Sequence, residues 1–243
     1  MSSSPYNPKD YWIEQGRVYK NNFRYNNKFE LQERLLIEYL TSNLFPSTYS
    51  EDAPVKLSVL EVGCGFGRIT KLLLANFGKS IAKYVAVDMS PDQIRNARQF
   101  VEDPYLNGKA TTTTADDNRS RNDNDRLEFI VSDIQSMHST DASKQRYDLV
   151  LACEVLLHVL PSEIEQVVRL LTEMSNKHII NVDWYEEEVP KKIAPHNFIH
   201  RYEEIYAKIP SVKQVRRIPI MKKGILSKLD TKQSIFHALK QTD

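Results

Sequence analysis

Apolar positions follow two regimes along the chain. Up to about residue 50 they recur at helical or near-helical spacing between charged residues. Tyr6, Tyr11, Trp12, Tyr19, Phe23, Tyr25 and Phe29 form an aromatic series, and Leu31, Leu35, Leu36, Tyr39 and Leu40 give the stretch from Phe29 to Leu44 one apolar face. This predicts an amphipathic helix behind an aromatic leading segment. From residue 57 short apolar runs alternate with helical patterns, as in a mostly parallel sheet covered by helices on both faces. Strands are expected at Leu57–Val62, Lys83–Asp88, Leu127–Val131, Tyr147–Ala152 and His178–Val182. Helices are expected over Arg68–Phe77, with Gly78 just past its end, from Pro91 through Phe100, and from Ser162 to about Met174. Ser90-Pro91-Asp92-Gln93 and Ser162-Glu163-Ile164-Glu165 both have the form of capping boxes, in which a serine and a Gln or Glu three residues on satisfy each other's backbone amides. Tyr202–Lys208 reads as a further helix. Val212–Ile218 and Ser234–Leu239 can pair as a terminal antiparallel hairpin.

One stretch breaks the pattern. Residues 107–126 contain almost nothing apolar and read as a solvated insertion. The organisation expected is an N-terminal helical lid segment over residues 1–50 and one α/β domain over 51–243 that carries this insertion. A chain of 243 residues with 41% hydrophobic and 27% charged residues can bury one large core, which excludes disorder, collagen and coiled coil for most of its length. No apolar run approaches the roughly 18 residues of a membrane span, and Met1-Ser2-Ser3-Ser4-Pro5 lacks the pattern of a secretory signal, so a cytoplasmic protein with no membrane partner is expected. Cys64 and Cys153 cannot form a disulfide framework and belong to no Cys-x-x-Cys pair, and both read as small packing residues. A net charge of +1 gives no global argument for nucleic acid.

Glycine is scarce and clustered. The chain holds 7, where average usage predicts roughly 17, and Gly63, Gly65 and Gly67 fall within five positions directly after the first strand. A backbone that concentrates its glycines in this way must turn tightly or be approached closely there. Other polar residues stand at the ends of later strands: Asp88 after the second, Asp133 after the third, Glu154 and His158 after the fourth. In an open parallel sheet ligands bind at this edge, where strand order reverses. Asp88 lies 21 positions after Gly67, near the spacing of about 20 at which an acid accepts hydrogen bonds from ribose hydroxyls. The dinucleotide fingerprint Gly-x-Gly-x-x-Gly is not met, because the spacing is Gly-x-Gly-x-Gly and Arg68 follows.

These residues resemble the class I S-adenosylmethionine-dependent methyltransferases, in particular the broad group of small-molecule methyltransferase domains. Val59-Leu60-Glu61-Val62-Gly63-Cys64-Gly65-Phe66-Gly67 resembles their first motif, Val87-Asp88-Met89-Ser90-Pro91 their second and Ser132-Asp133-Ile134 their third. The run from Tyr147 to Val159 is similar to their fourth, and the likeness spans roughly residues 55 to 185. The resemblance implies a Rossmann-like fold with a mostly parallel seven-stranded sheet, a C-terminal antiparallel hairpin and helices on both faces. It implies that Glu61 and the loop Gly63, Cys64, Gly65 and Gly67 hold the methionine part of S-adenosylmethionine, that Asp88 takes the ribose hydroxyls with Met89 against the adenine, and that Asp133 and the Ile134 backbone meet the adenine amino group. The backbone at Cys153 and Glu154 would border the sulfonium, and S-adenosylhomocysteine would be the product. The family's Lys-Pro-Gly-Gly turn before the fifth strand is replaced by Ser175-Asn176-Lys177.

Methyl transfer asks little covalent machinery of a protein, but an alcohol or ammonium acceptor must lose a proton, and histidine titrates nearest neutrality. His158, His196 and His200 are the candidate bases or orienters. His196 and His200 are spaced four apart, as two metal ligands on a helix would be, but no third ligand is fixed by spacing and no metal is expected. Tyr11, Trp12 and Tyr19 are expected on one wall of the acceptor pocket. Trp184, in the region from Asp183 to Tyr206, is expected on the opposite one. An aromatic lining suits a small organic acceptor. From Lys208 onward nine basic residues face two acidic ones, which fits either the solvated face of a hairpin or a contact with RNA or an acidic protein. The fourth motif lacks Asn-Pro-Pro-Tyr, so nucleic acid is not expected among the partners, while Gly67-Arg68-Ile69-Thr70-Lys71 resembles a stretch of the protein N-terminal methyltransferases. A protein or RNA methyltransferase, or a nucleotide-binding module without transfer, are the alternatives.

Overall fold

The computed structural model describes residues 6–45, 56–102, 126–137, 145–188, 190–191, 193–221 and 230–241. Seven strands form one sheet: β1 (Leu57–Val62), β2 (Ile81–Asp88), β3 (Leu127–Val131), β4 (Tyr147–Cys153), β5 (Ser175–Trp184), β6 (Val212–Met221) and β7 (Asp230–Lys240). Their order across the sheet is β3-β2-β1-β4-β5-β7-β6. The first five are parallel, and β7 runs antiparallel between β5 and β6. The expected α/β architecture, hairpin included, is the one observed.

The sheet's period of two divides the core. On β1, Val59 packs on one face with α3 (Asn27–Asn43), α4 (Arg68–Phe77) and α5 (Pro91–Glu102). Its neighbours Leu60 and Val62 pack on the other with α6 (Ile164–Glu173) and α7 (Tyr202–Ala207). Two shorter helices, α1 (Pro8–Gly16) and α2 (Tyr19–Asn22), precede α3. α1 starts at a proline behind Asn7, whose side chain accepts from the amides of Lys9 and Asp10. The apolar face predicted for α3 is buried: Leu31, Leu36 and Leu40 share one cluster with β1 and β2. A hydrogen-bonded chain ties this helix to the sheet, since the Tyr39 hydroxyl meets His237 Nδ1 at 2.8 Å and His237 Nε2 meets His178 Nδ1 at 3.0 Å.

Boundaries differ where hydrogen bonds outrank the apolar pattern. β5 extends beyond His178–Val182 at both ends, because Ser175 pairs with Tyr147 of β4 and Trp184 with Gln233 of β7. β2 begins at Ile81 rather than Lys83, and Gly78 continues into a 3-10 turn in right-handed conformation. The capping box at Ser162 does not form. Helix α6 starts at Ile164 because the chain arrives through a turn whose Leu160 carbonyl accepts from both Glu163 and Ile164. The box at Ser90 is half formed: Ser90 Oγ accepts from Gln93 N at 3.4 Å, but the Ser90 amide that Gln93 would take goes to Asp88 Oδ1 at 2.9 Å. The polar stretch 107–126 lies, but for Arg126, outside the described residues.

Leu36 is fully buried between α3 and the sheet. Leu36→Ala is expected to cost about 2–5 kcal/mol of unfolding free energy, read by urea denaturation. A loss well under 1 kcal/mol would show that α3 is not integral to the core.

Candidate functional site

Chain connections leave β1 toward β2 and return to β4 on its other side, so the carboxyl end of β1 opens into a crevice that no crossover helix covers. A cavity of about 430 Å³ occupies it, within the range of small-molecule sites. Its floor is the turn after β1 and its far edge the ends of β2 and β3. Its near edge is the end of β4, and α1 with α2 forms its roof.

The floor depends on glycine. Gly63 (φ +70) lies so close to the loop after β4 that a Cβ would stand 2.4 Å from a Val155 methyl. A Cβ at Gly65 (φ +54) would meet nothing nearer than Gln93 Nε2 at 3.9 Å, so this position faces the open cavity. Asp88 braces this turn: Oδ2 accepts from Gly65 N and Oδ1 from Ser90 N, both at 2.9 Å. One lone pair on each oxygen remains for a ligand. Burial raises its pKa, and the two amide bonds oppose the shift.

Glu61 lies at the floor of the cavity with its carboxylate tied to neighbouring hydroxyls. Its carboxylate accepts from Thr70 Oγ1 and from the Tyr84 hydroxyl at 2.7 Å, beneath the turn. Burial pushes its pKa up to about 7 against those two bonds. At the β3 end Asp133 accepts from Ser136 and pairs with Lys9 of α1 at 3.0 Å. Burial disfavours its ionisation, but these donors outweigh that and hold its carboxyl below the usual range.

A cationic knot closes the β4 side. Arg68, the residue directly after the glycine turn, donates to Glu33 at 2.7 Å, Gln32 at 3.1 Å and Glu154 at 3.2 Å, and its guanidinium lies 4.9 Å from the Phe29 ring centroid. Gln233 of β7 donates to the other Glu154 oxygen. Glu154 itself sits at φ +58, a left-handed conformation rare outside glycine. Beyond it His158 Nδ1 lies 2.8 Å from the His196 carbonyl, its ring 4.4 Å from that of Trp12. A carbonyl only accepts, so the proton is on Nδ1 and Nε2 is the accepting nitrogen, with the Asn197 side chain also against the ring. Burial lowers the pKa to about 4, against the carbonyl contact that raises it, and the ring is neutral at pH 7.

Most of the sequence-derived candidates meet in this cavity. Glu61, Gly63, Cys64, Gly65, Asp88 and Met89 line it, as do Asp133, Ile134, Cys153, Glu154, Trp12, Tyr19, His158 and His196. Four do not. Gly67 stands behind the turn, packed toward Ala97 and Val101 of α5. Tyr11 stands behind the lining, stacked on His196 at 4.9 Å and edge-on to Trp12 at 5.1 Å. His200 is buried, with Nε2 held by the Val159 carbonyl at 3.0 Å, and it packs against Tyr202. Trp184 ends β5 and donates to Glu186. Among the described residues no cluster of three metal-ligating side chains exists. Both cysteines are buried free thiols whose pKa burial pushes up.

Sequence reasoning missed Arg68, Gln93 and Asn197, which also line the cavity. Arg68 carried a signal, as the basic residue ending the glycine turn. Gln93 looked like a capping residue, yet its Oε1 is buried without a partner. That orphan acceptor, the bare backbone of Gly65 and the free lone pairs of Asp88 fit the hydroxyl- and amine-bearing nucleoside cofactor expected from the motifs.

A family model described as a methyltransferase domain matches residues 55–223. No curated protein matches the sequence. Among solved structures, the chain is similar to magnesium protoporphyrin IX methyltransferase from Synechocystis PCC 6803 with bound SAM, at 12% identity and TM-score 0.62, covering 99% of this chain and 100% of that one. It is also similar to 1,6-didemethyltoxoflavin-N1-methyltransferase from Burkholderia thailandensis with 1,6-didemethyltoxoflavin and S-adenosylhomocysteine, at 16% identity and TM-score 0.55, covering 100% and 94%. At these identities the likeness is one of fold.

Two outcomes are expected. Asp88→Ala removes the brace of the turn and both free lone pairs, and should weaken S-adenosylhomocysteine binding by about 1–3 kcal/mol in calorimetric titration; unchanged affinity would remove Asp88 from the site. For Glu61 the folded-state pKa is raised, so the folded protein keeps a proton that the unfolded chain releases from about pH 4.5 upward. Its stabilising contribution is therefore complete at low pH and declines as pH rises through about 7. Glu61→Gln should flatten that part of the stability profile, and melting curves of the two proteins that stay parallel from pH 4.5 to 8 would contradict it.

Proposed function

The chain belongs to the methyltransferase-domain family matched over residues 55–223, and on that premise we propose that it moves the methyl group of S-adenosylmethionine to an oxygen or nitrogen of a small-molecule acceptor. S-adenosylhomocysteine is then the product. Asp88, Met89, Asp133 and Ile134 take the adenosine end, and the turn from Gly63 to Gly65 cradles the methionine part. Glu61 acts by bracing that turn from below. When bound, the sulfonium supplies a methyl carbon open to in-line displacement; the protein's work is alignment and the exclusion of water.

The observation that carries the acceptor assignment is His158. Its Nδ1–H is fixed on the His196 carbonyl and its ring lies against Trp12, so Nε2, the accepting nitrogen, has one orientation at the β4 edge of the cavity. Being neutral, it accepts a hydrogen bond from the O–H or N–H of an acceptor and directs that atom's own lone pair. The acceptor becomes more acidic as it is alkylated, and Nε2 is then placed to take the proton. Trp12, Tyr19 and Phe23 of the roof line the same space and supply the apolar wall a small organic molecule requires. The two solved relatives named for small molecules support this class of acceptor. Part of the basic C-terminal charge is used within the fold, since Arg217 pairs with Glu203 at 3.6 Å and lies 4.2 Å from the Tyr185 ring centroid.

The test is transfer of radiolabelled methyl from S-adenosylmethionine into separated metabolite, protein and RNA fractions of a cell extract. Label is expected among the metabolites. Label confined to a polymer fraction would replace the small-molecule reading with a protein or RNA acceptor, and S-adenosylhomocysteine binding without any transfer would indicate a non-catalytic module. His158→Gln should lower turnover on the labelled metabolite about 100-fold with cofactor affinity unchanged; full turnover would remove His158 from the reaction.

A further inference from the structure

Asp183 is a buried carboxylate with no place in the cavity wall. It stands one residue from the end of β5, opposite Ser234 of β7. Its Oδ2 accepts from Asn181 Nδ2 at 2.8 Å, and Asn181 Oδ1 in turn accepts from the Tyr206 hydroxyl at 3.1 Å. Its Oδ1 accepts from the main-chain amide of Leu157 at 3.2 Å, and the Val155 amide also bonds to it. These amides belong to the segment that leaves β4 through Glu154 in left-handed conformation and turns into the short 3-10 helix Leu156–His158. Such a segment cannot satisfy its own first amides, and buried amides must find acceptors. Another strand supplies one.

We infer that Asp183 is a positioning residue for the acceptor side of the site, fixing the segment from Glu154 to His158 through its main-chain amides. The inference rests on the reading of His158 as the acceptor-side group. Three cavity features hang on that segment. Glu154 bonds to Arg68, Val155 lies on Gly63, and His158 meets Trp12 and the His196 carbonyl. Glu154 N also bonds to the Val182 carbonyl at 2.7 Å, so β5 holds the segment at its start by backbone and farther along by the Asp183 side chain. A carboxyl is retained here although burial pushes its pKa up to about 7, against the bonds from Asn181 and Leu157. An apolar residue of similar size would avoid that cost but would leave the Leu157 amide without its acceptor.

The experiment compares full-length wild type, Asp183→Asn and Asp183→Ala by 15N-histidine NMR at pH 7, with the His158 signals identified from His158→Gln. Wild type should show His158 as a single neutral tautomer protonated on Nδ1. Asp183→Asn keeps the volume but turns one accepting oxygen into a donor, so either Leu157 or Asn181 loses its partner. Loss of the single-tautomer signature, with a red shift of Trp12 emission in a Trp184→Phe background, is expected for Asn and more fully for Ala. Wild-type His158 signals and Trp12 emission in Asp183→Asn would overturn the inference, whatever happens to the melting temperature. S-adenosylhomocysteine titration of the same samples separates the two readings. Failure of wild type to bind it would count against the methyltransferase assignment, while the His158 comparison would still decide the role of Asp183.

Discussion

The site exists because β1 has neighbours whose connections depart in opposite directions. With β2 on one side and β4 on the other, right-handed crossovers place α4 and α5 on one face of the sheet and α6 on the other, and none spans the carboxyl end of β1. A packed core is compatible with that gap only if the backbone around it satisfies itself. Asp88 takes the amides of Gly65 and Ser90, the Val87 carbonyl takes those of Gly63 and Cys64, and Asp183 takes that of Leu157. The carboxylates at the strand ends thus serve the fold before any ligand arrives.

Charge in the crevice is arranged with similar economy. Arg68 faces Glu33 and Glu154 together, with Gln32 and Gln233 completing the bonds and two phenylalanine rings near its guanidinium. Four elements meet there: α3, α4, the end of β4 and β7. A guanidinium with fixed fork geometry can hold several acceptors where a lysine ammonium would hold them loosely. Helix α3 is in this way joined to the cavity wall and is buried in the same core as the sheet.

Much of this was legible because the relevant signals are local. The glycine triplet, the apolar runs ending in Asp88, Asp133 and Glu154, and the proline after Ser90 each report backbone geometry within a few residues, and the strands stand where the runs are. What was hidden depends on long-range pairing. Gln233 approaches Glu154 only because β7 inserts antiparallel beside β5, and no spacing in the chain encodes that meeting. Trp184 read as a wall residue and His200 as a candidate base or orienter, but β5 is longer than its apolar run and the Val159 carbonyl holds the imidazole. The box at Ser162 failed for a local reason: a turn in which the Leu160 carbonyl takes the amides of Glu163 and Ile164 delays the helix start to Ile164.

The roof is held by two kinds of force. Trp12 and Pro8 of α1 line the cavity, Tyr6 donates to the His158 carbonyl, and the outward contacts are the ion pairs of Lys9 with Asp133 at 3.0 Å and of Arg17, just past the helix, with Asp92 at 4.0 Å. Pairs of this kind weaken with added salt, whereas the aromatic contacts beneath do not. Helix α1 is therefore held by salt-sensitive ion pairs at both ends, Lys9 with Asp133 and Arg17 with Asp92, and by a salt-insensitive aromatic seal at its middle, so added salt loosens the ends of the roof before its centre.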